Sequence, residues 1–241
     1  MRKKPQLILT LCIFLTHFLS AQEYSIGLKG GVNYNSIGDF FSKGGSISAG
    51  VPDINYKVDN EIGTQFGIFF SINYENFFIR PEVNYVSLKN SYPFPTKPAK
   101  WTAQQIDIPL LLGYKIYKPI SIYAGPVFSF ISDIKLEGWE VTSYSDGFIF
   151  KDSSTSVCIG TLIDFGVIGI DFRYQYGLTT IESQRLDMIK TYNGYGVNLG
   201  DLTEYNPSQI LVSIHFKFLS SNSAGKRNRG SGSSWRNHKN L

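Results

Sequence analysis

Residues 168–178 read IGIDFRYQYGL. Large apolar side chains stand at every second position, with Gly, Asp, Arg and Gln between them. A period of two is typical of a β-strand, because successive side chains point to opposite faces of a sheet. Aromatic residues on one face and charges on the other predict a closed barrel with an apolar face toward lipid and a polar face inward.

Two further segments carry this alternation clearly and five carry it less regularly, and each is close to the length of about ten residues that a tilted strand needs to cross a bilayer. The gaps between them are alternately long and short, as in outer-membrane barrels, whose long loops lie outside the cell and whose tight turns face the periplasm. We therefore predict an all-β, closed, antiparallel, up-and-down transmembrane barrel of about eight strands, with both termini in the periplasm. The predicted strands are residues 23–34, 64–74, 77–88, 102–116, 120–131, 156–165, 168–178 and 210–218, and a loop at 89–100, rich in Pro and Lys, follows the third strand.

The composition agrees with this class, since 15% of the residues are aromatic, only 17% are charged and 23 are Gly. After residue 21 there is no apolar run of about 18 residues, the minimum for a helical span. Aromatic side chains favour membrane interfaces, so we expect a girdle at each rim of the barrel. The turn-side girdle would contain Tyr74, Phe77, Tyr114, Tyr117, Phe165, Phe216 and Phe218, and the outer girdle Tyr34, Tyr85, Trp101 and Tyr176.

The two ends of the chain differ from the body between them. Residues 1–21 combine three basic residues, an apolar run and a small-residue site at Ala21, which predicts a cleaved signal peptide. Residues 22–218 form the predicted barrel, which is mildly acidic. Residues 219–241 contain five cations and no acid among Ser, Gly and Asn, and we expect a disordered basic tail in the periplasm.

Three prolines interrupt the predicted strands. Pro81, Pro109 and Pro126 cannot donate to a ladder of backbone hydrogen bonds, and a closed barrel has no edge strand to hold them. We therefore expect β-bulges at these positions, above all at Gly125-Pro126.

Several segments resemble the PorT-like outer-membrane barrel family of the Bacteroidetes. They are SIGLKGGVNYN (25–35), FFIRPEVNYVSLK (77–89), IDIPLLLGYKI (106–116), IYAGPVFSF (122–130) and IDFRYQYGLTTI (170–181). The resemblance covers nearly all of residues 23–218 in order and spacing. It implies an eight-stranded barrel in the outer membrane, and it raises a link to type IX protein secretion, the process associated with the founding member. The basic tail departs from the family pattern, in which the last strand ends the chain.

The inward faces of the predicted strands carry most of the ionisable residues. An eight-stranded barrel is just wide enough for its side chains to fill, so we expect these groups to pair across the interior as a structural network. A conducting pore or ligand cavity is the alternative. The network would contain Lys29, Arg80, Glu82, Asp107, Lys115, Asp171, Arg173, His215 and Lys217.

Signals for catalysis and for bound groups are weak. Ser213 and His215 share one strand face and could mimic a nucleophile and its base, but the sequence does not place a third, orienting acid. There is no cluster of His or Cys at metal-ligand spacing, and we predict no metal and no cofactor. Nucleic-acid binding by a periplasmic tail is implausible.

These observations favour a non-enzymatic outer-membrane barrel with a filled interior and a structural or accessory role. Its predicted working surfaces are the loops 35–63, 132–155 and 179–207, of which 192–206 is the strongest candidate. Expected partners are outer-membrane lipid and secretion-complex or periplasmic proteins that contact the loops or tail. Three alternatives stay open: a small pore or transport component, a lipid-acting barrel enzyme, and a soluble periplasmic barrel that binds a hydrophobic ligand.

Overall fold

The structure, a computed structural model, describes residues 23–43, 53–139, 152–188 and 194–221. In these ranges no helix has both the length and the apolar character needed to cross a membrane. The strands there are, in chain order, β1 (Glu23–Ser36), β2 (Phe40–Ser42), β3 (Ile54–Tyr56), β4 (Asp59–Asn60), β5 (Ile62–Tyr74), β6 (Phe77–Tyr92), β7 (Ala99–Tyr117), β8 (Ile120–Leu136), β9 (Ser153–Asp164), β10 (Ile168–Gly177), β11 (Gln184–Asp187), β12 (Leu199–Leu202) and β13 (Ser208–Ser220).

Eight long strands close into one antiparallel ring. Its order is β6-β5-β1-β13-β10-β9-β8-β7, and β7 pairs back with β6. The first long strand, β1, pairs with the last, β13, so no edge is left open. The predicted eight-stranded barrel is confirmed, and the eight predicted segments lie in these eight strands except for the end residues Phe165 and Leu178.

The alternation of the sequence becomes the two faces of the wall. Along β10, Phe172 and Tyr174 lie on the exposed outer face, whereas Asp171 and Arg173 are buried inside. Along the other long strands the outer positions are likewise apolar, so the outer surface is an apolar band, while the interior combines polar and charged side chains with buried apolar ones.

The two ends of the barrel differ. The turn end carries three short connections, around Glu75, Lys118 and Gly166, together with Glu23 and Ser220. The loop end carries all the long connections. At the turn end Gly166 adopts a positive φ of 98°, and the Asp164 carboxylate accepts a hydrogen bond from its backbone N–H at 2.9 Å. Such a conformation suits Gly, because it has no Cβ.

Large inward rings lie over inward glycines near the turn end. Each ring faces a glycine at the directly opposite position of the neighbouring strand, and a Cβ on that glycine would overlap the ring. The four pairs use each of the eight barrel strands once, and we call the four rings with their glycines the ring layer. The pairs are Phe69 with Gly27, Phe78 with Gly113, Tyr123 with Gly160, and His215 with Gly169.

The expected proline bulges are wrong. Across Gly125 and Pro126 the pairing of β8 with β9 continues without a shift, and the register of the other pairs is equal on both sides of each proline. The strands instead omit pairings: β5–β6 beside Pro81, β6–β7 beside Pro109 and β7–β8 beside Pro126. A missing N–H removes a ladder bond without requiring an extra residue.

Other details of the prediction also need correction. β6 and β7 extend beyond the predicted strands, so the expected loop at 89–100 is reduced to residues 93–98. Trp101 is buried at 4% exposure and faces inward, so it does not belong to the outer girdle. The signal peptide and the tail beyond Ser221 lie outside the described residues.

The ring layer makes glycine substitutions a test of the packing. A Cβ at Gly160 would overlap the Tyr123 hydroxyl and the Phe172 carbonyl oxygen, so Gly160→Ala should lower the free energy of unfolding by about 1–3 kcal/mol through overpacking. Urea unfolding of the refolded barrel in lipid vesicles would measure this. The matched control is Gly30→Ala, since a Cβ there has no atom nearer than 3.9 Å. Equal stability of the two variants would contradict the ring layer.

Candidate functional site: a buried charge cluster beneath a loop-end cap

A cluster of charges crosses the middle of the barrel. Lys29 on β1 lies with its Nζ 3.0 Å from Glu82 Oε2 and 2.7 Å from Asp171 Oδ2. Arg173 on β10 contacts the same two oxygens through Nη2, at 2.8 and 3.1 Å. Two cations and two carboxylates therefore form a closed square in which each charge touches both opposite charges. These four side chains are at most 2% exposed.

Two further residues complete this charge cluster. Arg80 lies with Nε 2.9 Å from Glu82 Oε1, and its guanidinium carbon is 3.7 Å from the centre of the Phe69 ring. The Tyr123 hydroxyl donates a short hydrogen bond to Asp171 and accepts one from Arg173 Nε at 3.0 Å. A buried charge is costly unless it is paired, and these contacts provide the pairing. Four strands, β1, β6, β8 and β10, are thereby joined through the interior.

The remaining predicted network residues lie elsewhere. Asp107 is nearer the loop end and accepts hydrogen bonds from Gln105 and Gln209. At the turn end, Lys115 donates to the backbone carbonyl of Glu75, and Lys217 pairs with Asp164. His215 is fully buried in the ring layer, edge-on to Phe69.

The geometry does not join Ser213 to His215. The Ser213 hydroxyl accepts a hydrogen bond from Gln65 Nε2 at 3.4 Å, and neither ring nitrogen of His215 has a hydrogen-bond partner among the described residues. A serine nucleophile needs its base within hydrogen-bond reach. Nor does any group of three His, Cys, Asp or Glu in the described ranges have the arrangement of a metal site.

An amide layer lies between the charge cluster and the loop end. Its side chains project inward from six barrel strands and are almost completely buried. On the side toward the loop end, four of them line a cavity of about 60 Å³, namely Asn35, Gln105, Gln175 and Gln209. The layer contains Asn33, Asn35, Gln65, Asn84, Gln105, Gln175 and Gln209.

A second, small sheet covers the loop end of the barrel. Its order is β11-β12-β2-β3, and we call it the cap. Phe40 and Leu186 of the cap are fully buried and pack in one apolar cluster with Val86 and Trp101 of the barrel wall. The Tyr92 hydroxyl fixes the cap by donating to the Gly38 carbonyl at 2.7 Å. Beside the cap, burial raises the pKa of Tyr205 to about 12.

The outer surface of the cap carries ion pairs. Asp201 lies 2.7 Å from Lys43 and 3.1 Å from Arg185. Partial burial opposes ionisation of Asp201, but hydrogen bonds and charge from these two cations outweigh it and hold its pKa below the ordinary value. Nearby, the Lys97 ammonium lies 4.1 Å from the centre of the Tyr195 ring in a cation–π contact, and the Tyr195 hydroxyl donates a hydrogen bond to Glu137 at 3.0 Å. The predicted contact loop 192–206 contributes β12 and Tyr195, while residues 192–193 lie outside the described ranges.

Sequence reasoning missed the cap and the amide layer as units. The cap strands have only three or four residues each, too few for a periodic pattern. The amide layer did leave a signal, because Asn and Gln recur on the inward parity of the strands. Because these residues are uncharged, the pattern indicates ordinary interior packing and not a separate layer.

Solved structures with a similar fold share little sequence identity with this chain. The outer membrane protein OprG from Pseudomonas aeruginosa is 14% identical with a TM-score of 0.48, and the match covers 82% of this chain and 96% of OprG. Neisserial surface protein A is 14% identical with a TM-score of 0.45, and the match covers 81% of this chain and 99% of that protein. Ail of Yersinia pestis is 10% identical with a TM-score of 0.38, and the match covers 82% of this chain and 99% of Ail.

A search of curated proteins found no match. The family comparison is positive: the sequence profile described as "Outer membrane protein beta-barrel domain" matches residues 20–183, more than half of the chain. Together with the closed ring and its apolar outer face, this match shows that the chain belongs to the outer membrane protein beta-barrel domain family.

Proposed function

We propose that this outer-membrane barrel is non-enzymatic and closed to solutes, and that it acts through its loop end as a structural or accessory component. The observation that carries the proposal is the charge cluster, which links four strands across the interior. A solute would have to separate Lys29 and Arg173 from Glu82 and Asp171 in order to pass. Leaving one buried charge without its partner costs about 3–5 kcal/mol, which opposes opening.

The ring layer adds a second obstruction below the cluster. Phe69, Phe78, Tyr123 and His215 project into the barrel from four different strands, and each is packed on its glycine. Two successive layers of buried side chains favour a filled interior over a small pore. The separation of Ser213 from His215 likewise gives no support to a lipid-acting enzyme.

The cap is the surface that fits an accessory role. It is held on the barrel wall by an apolar cluster and by the Tyr92 hydrogen bond, so its outer residues have fixed positions. Binding residues are commonly carried by loops on a rigid scaffold. With the short turns and both termini in the periplasm, as in related barrels, the cap would face the cell exterior.

Assignment to type IX secretion is a narrower proposal. It rests on the resemblance of segments such as 77–89 and 170–181 to the PorT-like family. In that setting the barrel would stabilise a secretion complex through its cap, or through the basic tail on the periplasmic side.

The closed interior predicts a conductance experiment. In planar bilayers the unaltered protein should show no steady conductance, whereas Glu82→Ser combined with Arg173→Ser and Phe69→Ser should conduct, because it removes one acid and one base from the charge cluster and one ring from the ring layer and leaves polar space. The control is Glu75→Ser with Lys118→Ser, an equally charge-neutral pair exposed at the turn end, which should stay silent. Steady current through the unaltered protein would refute the closed interior.

The accessory role predicts partners that depend on the loop-end surface formed by the cap and the connection between β6 and β7 beside it. Affinity purification from outer membranes should recover secretion components with the full chain, and Lys97→Glu with Lys100→Glu, at two exposed loop-end positions, should reduce recovery several-fold. Lys118→Glu makes one such charge reversal at the turn end and should leave recovery unaltered. Removal of residues 222–241 tests the tail separately. If recovery is lost only when the tail is removed, the partners contact the tail and not the loop end. If no secretion component is recovered with the full chain, the result argues against the secretion role.

A further inference from the structure

The cavity at the loop end has walls and a floor of different chemistry. Its walls toward the cap are apolar and include Leu88, Trp101 and Leu202. Its floor is formed by amides, including Asn35, Gln175 and Gln209, each at least nine-tenths buried. The charge cluster seals the space below this floor. The result is a small chamber, about 60 Å³ in volume, with one polar side.

The floor presents hydrogen-bonding atoms that have no partner. Asn35 Oδ1 and Nδ2, Gln175 Oε1 and Gln209 Oε1 are all buried and make no hydrogen bond within the described residues. The orientation of Gln209 is fixed, because its Nε2 donates to the Asp107 carboxylate and its oxygen is the end left free. Buried polar atoms are nearly always satisfied in folded proteins, so this floor fits an occupant that donates hydrogen bonds.

The walls and the volume restrict what that occupant can be. Apart from the phenol of Tyr205, no ionisable side chain lines the chamber, so a charged molecule would enter without a counter-charge. One water requires about 10–15 Å³ of such a cavity, so the space holds about four waters or a molecule of similar size. The apolar wall prefers a hydrocarbon body to a fully hydrated solute.

We propose that this chamber is a binding site for a small uncharged alcohol, with the hydroxyl on the amide floor and the short apolar body beneath the cap. The hydroxyl donates to Gln175 Oε1 or Gln209 Oε1 and accepts from Asn35 Nδ2. This site is separate from the accessory role of the cap surface and does not depend on it.

Trp101 in the chamber wall provides a direct probe. The chain has three Trp, and Trp139→Phe with Trp235→Phe leaves Trp101 as the single emitter. Titration of this protein in lipid vesicles with 1-butanol should change the Trp101 emission along a saturating curve. Butyrate and butylammonium, which match 1-butanol in length but carry a charge, should cause no saturable change.

Two kinds of variant locate the response. Gln175→Leu with Gln209→Leu removes two acceptors and should weaken 1-butanol binding by about tenfold or more. Gln65→Leu is the matched control, because it makes the same change at a buried amide outside the chamber lining, and it should bind 1-butanol as before. Ala103→Val narrows the chamber without altering an amide and should also weaken binding, which keeps the test valid if the double variant does not fold.

The opposite results would overturn the proposal. A linear response of equal slope in every variant would mean that 1-butanol partitions into the lipid and that the chamber holds water only. Saturable binding of the charged compounds would show that the amide floor does not select a neutral hydroxyl.

Discussion

The buried charges of Lys29 and Arg173 pair with those of Glu82 and Asp171 and thereby constrain how the barrel strands are aligned. These charges lie on three strands that are far apart in the chain, and none of them can be left alone in a dry interior without a large cost. A shift of any strand by one residue would turn its charge toward lipid and an apolar side chain inward. The charge cluster and the apolar outer face therefore specify the same register.

The interior is built in layers that stabilise the barrel in different ways. At the turn end, rings on glycines fill space that charged side chains would leave empty. At the height of the charge cluster the wall is weakest, because Pro81, Pro109 and Pro126 remove pairings from three consecutive strand interfaces. Arg80 and Glu82 flank Pro81, and their side chains connect β6 to its interior neighbours. Contacts through the interior thus act where contacts along the wall are missing.

Much of this barrel could be predicted from sequence, since alternation in a stretch such as 168–178 is a local property that fixes strand, face and parity together. The cap could not be predicted in this way. Its strand β2 pairs with β12 across most of the chain, and neither is long enough to show a period. Trp101 was assigned to the wrong place because β7 begins earlier than its pattern suggested, at Ala99. The charge cluster required three-dimensional distances, because sequence cannot distinguish Lys29, which lies inside it, from Lys115, which lies at the rim.

The order of the layers along the barrel makes its two ends differ in their ability to bind a molecule in the interior. In the middle, rings and ion pairs occupy the interior, and below them an opening lined by Ser25, Asp164 and Lys217 lies at the turn end. Beyond the charge cluster, toward the loop end, the amides keep unpartnered oxygens and the cap leaves a chamber above them. On that side, unpartnered amide atoms lie beside a cavity that the cap covers. A molecule arriving from the loop end meets the cap and then the chamber, and the charge cluster stops it there. Recognition at the loop end, without transport to the turn end, is therefore the behaviour that this arrangement of layers favours.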